Sequence, residues 1–181
     1  MMYYKKAAAA LLIAAIAVAA FAGCGNNKGD NTSTSAPDSV TDTADPSGAS
    51  AKQHTADEIG AAIASETALF KETLNQGSAE RGLSLFGIEP AMVSDSAYYV
   101  ATAAVAEEVL VVKLASGTDA SAILACFENR KTSQADDYAD YVASEVPKIQ
   151  NAVTYSGGDY CVFCVSEDSD AVMRIIEDMI G

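Results

Sequence analysis

Two nearly unbroken apolar runs, Val109-Leu110-Val111-Val112 and Cys161-Val162-Phe163-Cys164-Val165, place the tightest limit on how this chain can fold. A strand with one wet face alternates apolar and polar side chains, because successive residues point to opposite sides. Runs like these offer apolar groups to both sides, so each strand needs cover above and below. Either helices of the same chain supply the second layer or a partner chain does. The two helices that precede the strands are the favoured cover.

Local signals supply those helices and the remaining strands. Thr55-Ala56-Asp57-Glu58 has the form of a capping box, with Ile59, Ala62 and Ile63 following at helical spacing. A second short helix fits residues 79–86, with Leu83 and Phe86 inward and Gly87 as its stop. Glu89-Pro90 breaks the chain before strands at 97–103 and 108–115, rich in Tyr and Val. Ser116-Gly117-Thr118-Asp119 turns into a helix from Ala120 to about Tyr141. Such a helix is about 33 Å long, so a break near Val142 and a short helix around Pro147 are expected. Residues 152–155 and 160–165 make a hairpin across Ser156-Gly157-Gly158-Asp159. Asp168-Ser169-Asp170 caps a last helix whose apolar face is Val172, Ile175, Ile176 and Met179. The order α-α-β-β-α-β-β-α predicts an α+β domain with a mostly antiparallel four-stranded sheet and helices packed on it.

The first 53 residues follow different rules. Lys5 and Lys6 precede an Ala-rich apolar stretch, 7–20, which is short for a membrane span and suits a cleavable secretory signal. It closes on Phe21-Ala22-Gly23-Cys24, which resembles a bacterial lipobox, although Phe at its first position is less usual than Leu. That resemblance implies diacylglyceryl transfer to the Cys24 thiol and cleavage between Gly23 and Cys24. Paired acyl chains anchor stably where a single chain does not. Residues 25–53 are mostly Asn, Asp, Ser, Thr, Gly, Ala and Pro, with Val40 the one large aliphatic residue, and read as a disordered tether. A flexible coil of this length spans about 30 Å end to end. The expected organisation is a signal peptide at 1–23, lipidated Cys24 and tether at 24–53, and one α+β domain at 54–181.

Charge narrows the partners. The chain carries 11 basic and 25 acidic side chains, a net charge of −14. Loss of Lys5 and Lys6 with the signal would leave nine basic groups against the same 25 acids, or −16. Nucleic acid is excluded as a partner, since phosphate binding depends on clustered Lys and Arg. Adsorption of the domain itself to an anionic membrane surface is disfavoured too, so membrane attachment falls to the lipid on Cys24.

Catalytic signals are weak. Cys161 and Cys164 form Cys-x-x-Cys, but within a strand a spacing of three sends the side chains to opposite faces, unlike a redox or zinc turn. Cys126 could pair with either of them, although a buried free cysteine is the commoner state. Asp136, Asp137 and Asp140 lack the loop pattern of a calcium site and read as a solvated helix face. Glu167, Asp168 and Asp170 suit the positive end of the last helix. Glu107 and Glu108 open a strand with no evident third polar group. His54 sits at the tether boundary with no Gly-x-Ser-x-Gly elbow to serve. Tyr98, Tyr99, Tyr138, Tyr141, Tyr155 and Tyr160 read as half-buried packing with wet hydroxyls. Gly157-Gly158 is a hairpin turn rather than a phosphate cradle, because no helix follows it.

From Ala79 onward the chain is similar to the bacterial lipoproteins of domain-of-unknown-function family 4358, common in Clostridia and their relatives. The matching marks are Phe86-Gly87-Ile88, Ala106-Glu107-Glu108-Val109, Arg130, Tyr141-Val142, Asn151-Ala152-Val153, Gly158-Asp159-Tyr160 and Val165-Ser166-Glu167-Asp168. Ala143 stands where members often carry Pro, with Pro147 four residues later. The resemblance implies a lipoprotein and assigns no activity, so it carries no catalytic residue, metal ligand or cofactor onto this chain. The expectation is a lipoprotein on the outer face of the cytoplasmic membrane: a non-enzymatic module binding an envelope protein or peptide. The alternative is an enzyme or enzyme accessory acting on envelope polymers. Oligomeric state is left open by the sequence.

Overall fold

A computed structural model describes residues 53–181. The expected signal peptide at 1–23, with Gly23, Cys24 and the expected tether through residue 52, lies outside the described residues. Among the described residues no helix is long and apolar enough to cross a membrane.

Helix α1 (Ala56–Ser65) starts on the expected capping box. The Thr55 hydroxyl accepts the Glu58 amide at 3.1 Å, and Glu58 returns by accepting the Thr55 amide at 2.7 Å. Strand β1 (Leu74–Gly77) leads into α2 (Ala79–Phe86), which ends on Gly87 at φ +66°, a left-handed conformation that glycine adopts at no steric cost. Strands β2 (Val93–Ala101) and β3 (Glu108–Leu114) form a hairpin, and α3 runs over Ala120–Tyr141 as expected. The chain then breaks at Val142, makes one tight turn, and forms α4 (Val146–Gln150) with Pro147 in its first turn, where a missing N–H costs nothing. Strands β4 (Val153–Gly157) and β5 (Tyr160–Val165) turn on Gly158. Helix α5 (Ser169–Ile180) closes the domain on an Asp168 cap.

The α+β class holds, but the sheet has five strands rather than four, all antiparallel, in the order β1-β2-β3-β5-β4. The extra strand is β1, Leu-Asn-Gln-Gly. Its residues have low strand propensity, and main-chain pairing to β2 holds it at the edge. Strand β2 also begins four residues before the expected start. Its polar opening is used rather than wasted: the Asp95 carboxylate accepts the Ala56 amide of α1 at 2.8 Å.

Both faces of β3 and β5 are buried, as their apolar runs require. Val109, Val111, Val162 and Cys164 lie under α1 and α5. Leu110, Val112, Cys161, Phe163 and Val165 lie under α2, α3 and α4. The cover is intramolecular, but its assignment corrects the expectation. Only α1 of the two N-terminal helices shields the second face, joined there by α5, while α2 packs beside α3. Three rings, Phe86, Phe127 and Phe163, fill the α2–α3 side with centroids 4.9–5.7 Å apart.

Two tyrosines set how closely the helices approach. Tyr98 and Tyr99 are consecutive in β2 and so enter opposite layers. Gly82 of α2 sits on Tyr98, where an added Cβ would lie 2.8 Å from the Tyr98 Cβ and Cγ. Gly60 of α1 sits likewise on Tyr99, 2.7 Å from Cε2. Gly82→Ala should therefore destabilise the domain by about 1–3 kcal/mol, because overpacking outweighs the better helix propensity of Ala. Urea unfolding reads this directly, and an unchanged midpoint would mean that α2 slides freely on the sheet.

Candidate functional site

The chemistry of this domain gathers where β3 begins and β5 ends. Glu107 and Glu108 adjoin in sequence and enter two different polar centres, both buried.

Glu107 belongs to the larger one. Its carboxylate accepts the amides of Lys71 at 2.8 Å and Glu72 at 3.2 Å, fixing the segment between α1 and β1. It also faces the Lys148 ammonium at 2.8 Å. Lys148 Nζ has two further carboxylate neighbours, Glu145 at 3.0 Å and Glu167 at 2.7 Å. An ammonium has three protons, and here each has its own carboxylate. Lys71 makes a second bridge across the same acids, 3.0 Å from Glu145 and 3.3 Å from Glu167. The Ala106 amide donates to the other Glu145 oxygen at 3.1 Å. Local structure sets this up: the tight turn at 143–145 and Pro147 aim Glu145 and Lys148 inward, while the last residues of β5 deliver Glu167.

The charges are locked by each other. Burial alone would push the Glu145 carboxyl up, but hydrogen bonds from Lys148, Lys71 and the Ala106 amide hold it at about 2. Burial would likewise lower Lys148, and its three carboxylates raise it well above an ordinary lysine instead. Hydrogen bonding from Lys148 also lowers Glu167.

Glu108 belongs to the second centre. Arg130 of α3 grips it with two bonds, Nε to Oε1 at 2.9 Å and Nη2 to Oε2 at 3.2 Å. The Tyr98 hydroxyl donates to Oε2 at 2.7 Å. Burial and the Glu108 carboxylate push the Tyr98 hydroxyl far up, so it stays a donor. Tyr98 opposes Leu110 in the ladder, which puts Glu108 one diagonal step away on the same face. The Arg130 guanidinium also lies 5.6 Å over the Phe86 ring. One turn on, Gln134 donates to the Ala106 carbonyl at 3.1 Å, and Tyr138 donates to the Val105 carbonyl at 2.6 Å.

Beside the Lys148 centre opens a polar cleft of about 610 Å³, lined by Lys71, Lys148, Asn151, Ser166, Glu167 and the start of α5. Lys71 and Glu167 form its half-exposed rim. Ser166 lines it with a hydroxyl that is buried and without a hydrogen-bond partner among the described residues. The arrangement can offer donors and acceptors side by side to a polar ligand.

The other sequence candidates fall apart from this site. Cys161 and Cys164 do lie in opposite layers, and burial pushes both thiols up, away from reactive thiolate. Cys126, Cys161 and Cys164 are free thiols. His54 lies near Glu58, with its carbonyl accepting the Tyr160 hydroxyl. Asp168 caps α5 through the Ala171 amide, a structural duty. Asp136, Asp137 and Asp140 are exposed on α3. Of these six tyrosines only Tyr138 and Tyr155 are half-buried; Tyr98, Tyr99 and Tyr160 depart from expectation by being buried with their hydroxyls bonded to Glu108, Asp57 and the His54 carbonyl, and Tyr141 by being 88 % exposed.

The reading of Glu107 and Glu108 as a pair with no polar company needs correcting. Their partners are 10 to 41 residues away in sequence. One signal was available: two adjacent acids run directly into four apolar residues, a place where a carboxylate is buried unless it is at the very edge. The Glu145–Lys148 spacing of three was also readable as a helical ion pair.

A family model described as Domain of unknown function (DUF4358) matches residues 67–166. No curated protein and no solved structure matches the chain.

Two measurements test the Lys148 centre. Lys148→Met should cost about 3–5 kcal/mol in urea unfolding, because it removes the ammonium paired with buried Glu107 and leaves Glu145 and Glu167 with Lys71 alone. The depressed Glu145 contributes stability that is present above its ordinary value of 4.5 and is lost as pH falls toward 2. Unfolding midpoints should therefore drop across that window, and Glu145→Gln should flatten the drop while lowering stability at neutral pH.

Proposed function

From the premise that the chain belongs to the domain-of-unknown-function family DUF4358, we propose that it is a lipid-anchored, extracytoplasmic binding module of the cell envelope. The anchor reading rests on Phe21-Ala22-Gly23-Cys24 after a short apolar segment, with Cys24 as the lipidated residue on the outer face of the cytoplasmic membrane. The binding reading is carried by one observation, the open polar cleft beside the Lys148 centre. Its walls are fixed by ion pairs that tie the segment before β1, the start of β3, α4 and the end of β5 together, so its polar groups are held in place before a ligand arrives. Fixed donors and acceptors in a mostly polar lining suit a polar envelope component.

The same cleft also favours a second reading, an enzyme or accessory acting on envelope polymers, since it brings carboxylates to a concave surface. Electrostatics weigh against it. A general acid must hold its proton near the working pH, yet Glu145 and Glu167 are both lowered by Lys148.

Expression in a lipoprotein-processing bacterium with labelled palmitate tests the anchor. The chain should take up label and sediment with membranes, and Cys24→Ala should not be labelled; a labelled Cys24→Ala chain ends the anchor reading. Capture of envelope fragments by wild-type chain and by the rim variant Lys71→Ala/Glu167→Gln tests the cleft. Loss of capture supports binding there. Hydrolysis of an envelope polymer that disappears in Glu167→Gln would instead establish the enzyme.

A further inference from the structure

The C-terminal end of α3 carries a feature that neither the fold nor the cleft uses. A groove of about 250 Å³ lies there between Ala104 in the β2–β3 loop and Asp137, Tyr138, Tyr141 and Val142. Its floor is apolar, with the Tyr138 hydroxyl turned away to the Val105 carbonyl. Tyr141 lines it at 88 % exposure, whereas the other large apolar side chains among the described residues are mostly inside. An aromatic ring left this open gains nothing for the core.

Charge around the groove is arranged against the helix that bears it. The C-terminal end of a helix is the negative end of its dipole, where Lys, Arg or His is favourable. Helix α3 has no basic residue in its last turn, and it exposes Asp136, Asp137 and Asp140 there. Its two cations are engaged elsewhere: Arg130 grips Glu108 inside the domain, and Lys131 pairs with Glu128 at 2.8 Å. Among the described residues no basic side chain pairs with Asp136, Asp137 or Asp140. Asp137 thus lines an apolar groove beside an exposed ring, and Asp136 and Asp140 leave the same end of the helix exposed and acidic.

We infer that this end of α3 docks a basic segment of a partner protein, with a Lys or Arg side chain lying along the groove. The methylene stem would pack on Ala104, Val142 and the Tyr138 ring, and the cationic head would sit over Tyr141 between Asp137 and Asp140. Such a side chain has the apolar length and the terminal charge that the groove and its rim separately ask for. Complementarity extends to the whole molecule, whose net charge of −14 attracts basic partners and repels anionic polymers. The inference rests on the reading of this chain as an interaction module, but uses a different surface from the cleft.

The test uses the full-length chain in neutral detergent and a fluorescein-labelled peptide alternating Lys and Leu, with a Glu-for-Lys counterpart. Fluorescence anisotropy should show binding of the basic peptide, weakened by salt, and none of the acidic one. Tyr141→Ala and Asp137→Asn/Asp140→Asn should each weaken binding about tenfold, and Tyr141→Phe should retain it, since a phenyl face still holds a cation. Glu177→Gln/Asp178→Asn on α5 removes as much charge from another exposed surface and should leave binding unchanged. Equal weakening by the α5 variant, or full binding by Tyr141→Ala, overturns the proposal. So does Tyr141-dependent binding of a neutral chitin tetrasaccharide in place of the peptide. Thermal unfolding should be unaltered in Tyr141→Ala because that side chain is already in solvent. Failure of the module reading is detected separately, through Cys24 and Lys71.

Discussion

Lys148 holds one end of this domain together. Its ammonium meets Glu107, Glu145 and Glu167 within 3.0 Å, and those acids in turn secure the amides of Lys71, Glu72 and Ala106. The segment before β1, the start of β3, the turn into α4 and the exit of β5 all converge on it. A buried ionic centre is a poor source of net stability, since desolvation offsets most of the attraction. What it supplies is selectivity: any other seating of α4 would leave a buried charge alone. The cleft is a by-product of that constraint, because its wall is the outer side of the same cluster.

The second centre divides the labour. Glu108 points into the α2–α3 layer and is held by Arg130 and Tyr98, so the two adjacent glutamates brace opposite sides of one strand end. The family match over residues 67–166 spans both centres up to Ser166. It leaves out α1 and α5, the two helices that cover the other face of the sheet. The matched portion is thus the sheet with one of its helical layers, and the remaining layer comes from the segments on either side.

Much of this architecture was legible in the sequence where one physical rule acted locally. The Thr55 cap, the Gly87 stop, the break after Tyr141 and the β4–β5 turn each depend on a few neighbouring residues, and each was read correctly. The doubly apolar runs of β3 and β5 announced two covered faces. Strand β1 escaped because Leu-Asn-Gln-Gly has no pattern of its own and exists as a strand only through its pairing with β2. Which helices cover which face was not readable either, since that choice depends on chain reversal rather than composition. The ionic centres were the largest omission. Nothing near Glu107 in sequence hints at Lys148, and charge pairing across 41 residues leaves no periodic trace.

The glycines seated on Tyr98 and Tyr99 carry a consequence for how such a chain can drift. Each tyrosine has a bare patch of helix above it: a larger residue at position 60 fits only after the Tyr99 ring has shrunk, and at position 82 the Tyr98 Cβ and Cγ both stand in the way. Tyr98 and Tyr99 cannot shrink freely, because their hydroxyls are also committed to Glu108 and Asp57. Each layer is therefore bound by a three-membered linkage of glycine, tyrosine and acid. Substitutions within a linkage would have to arrive together, while the two linkages, separated by the sheet, are free to change independently.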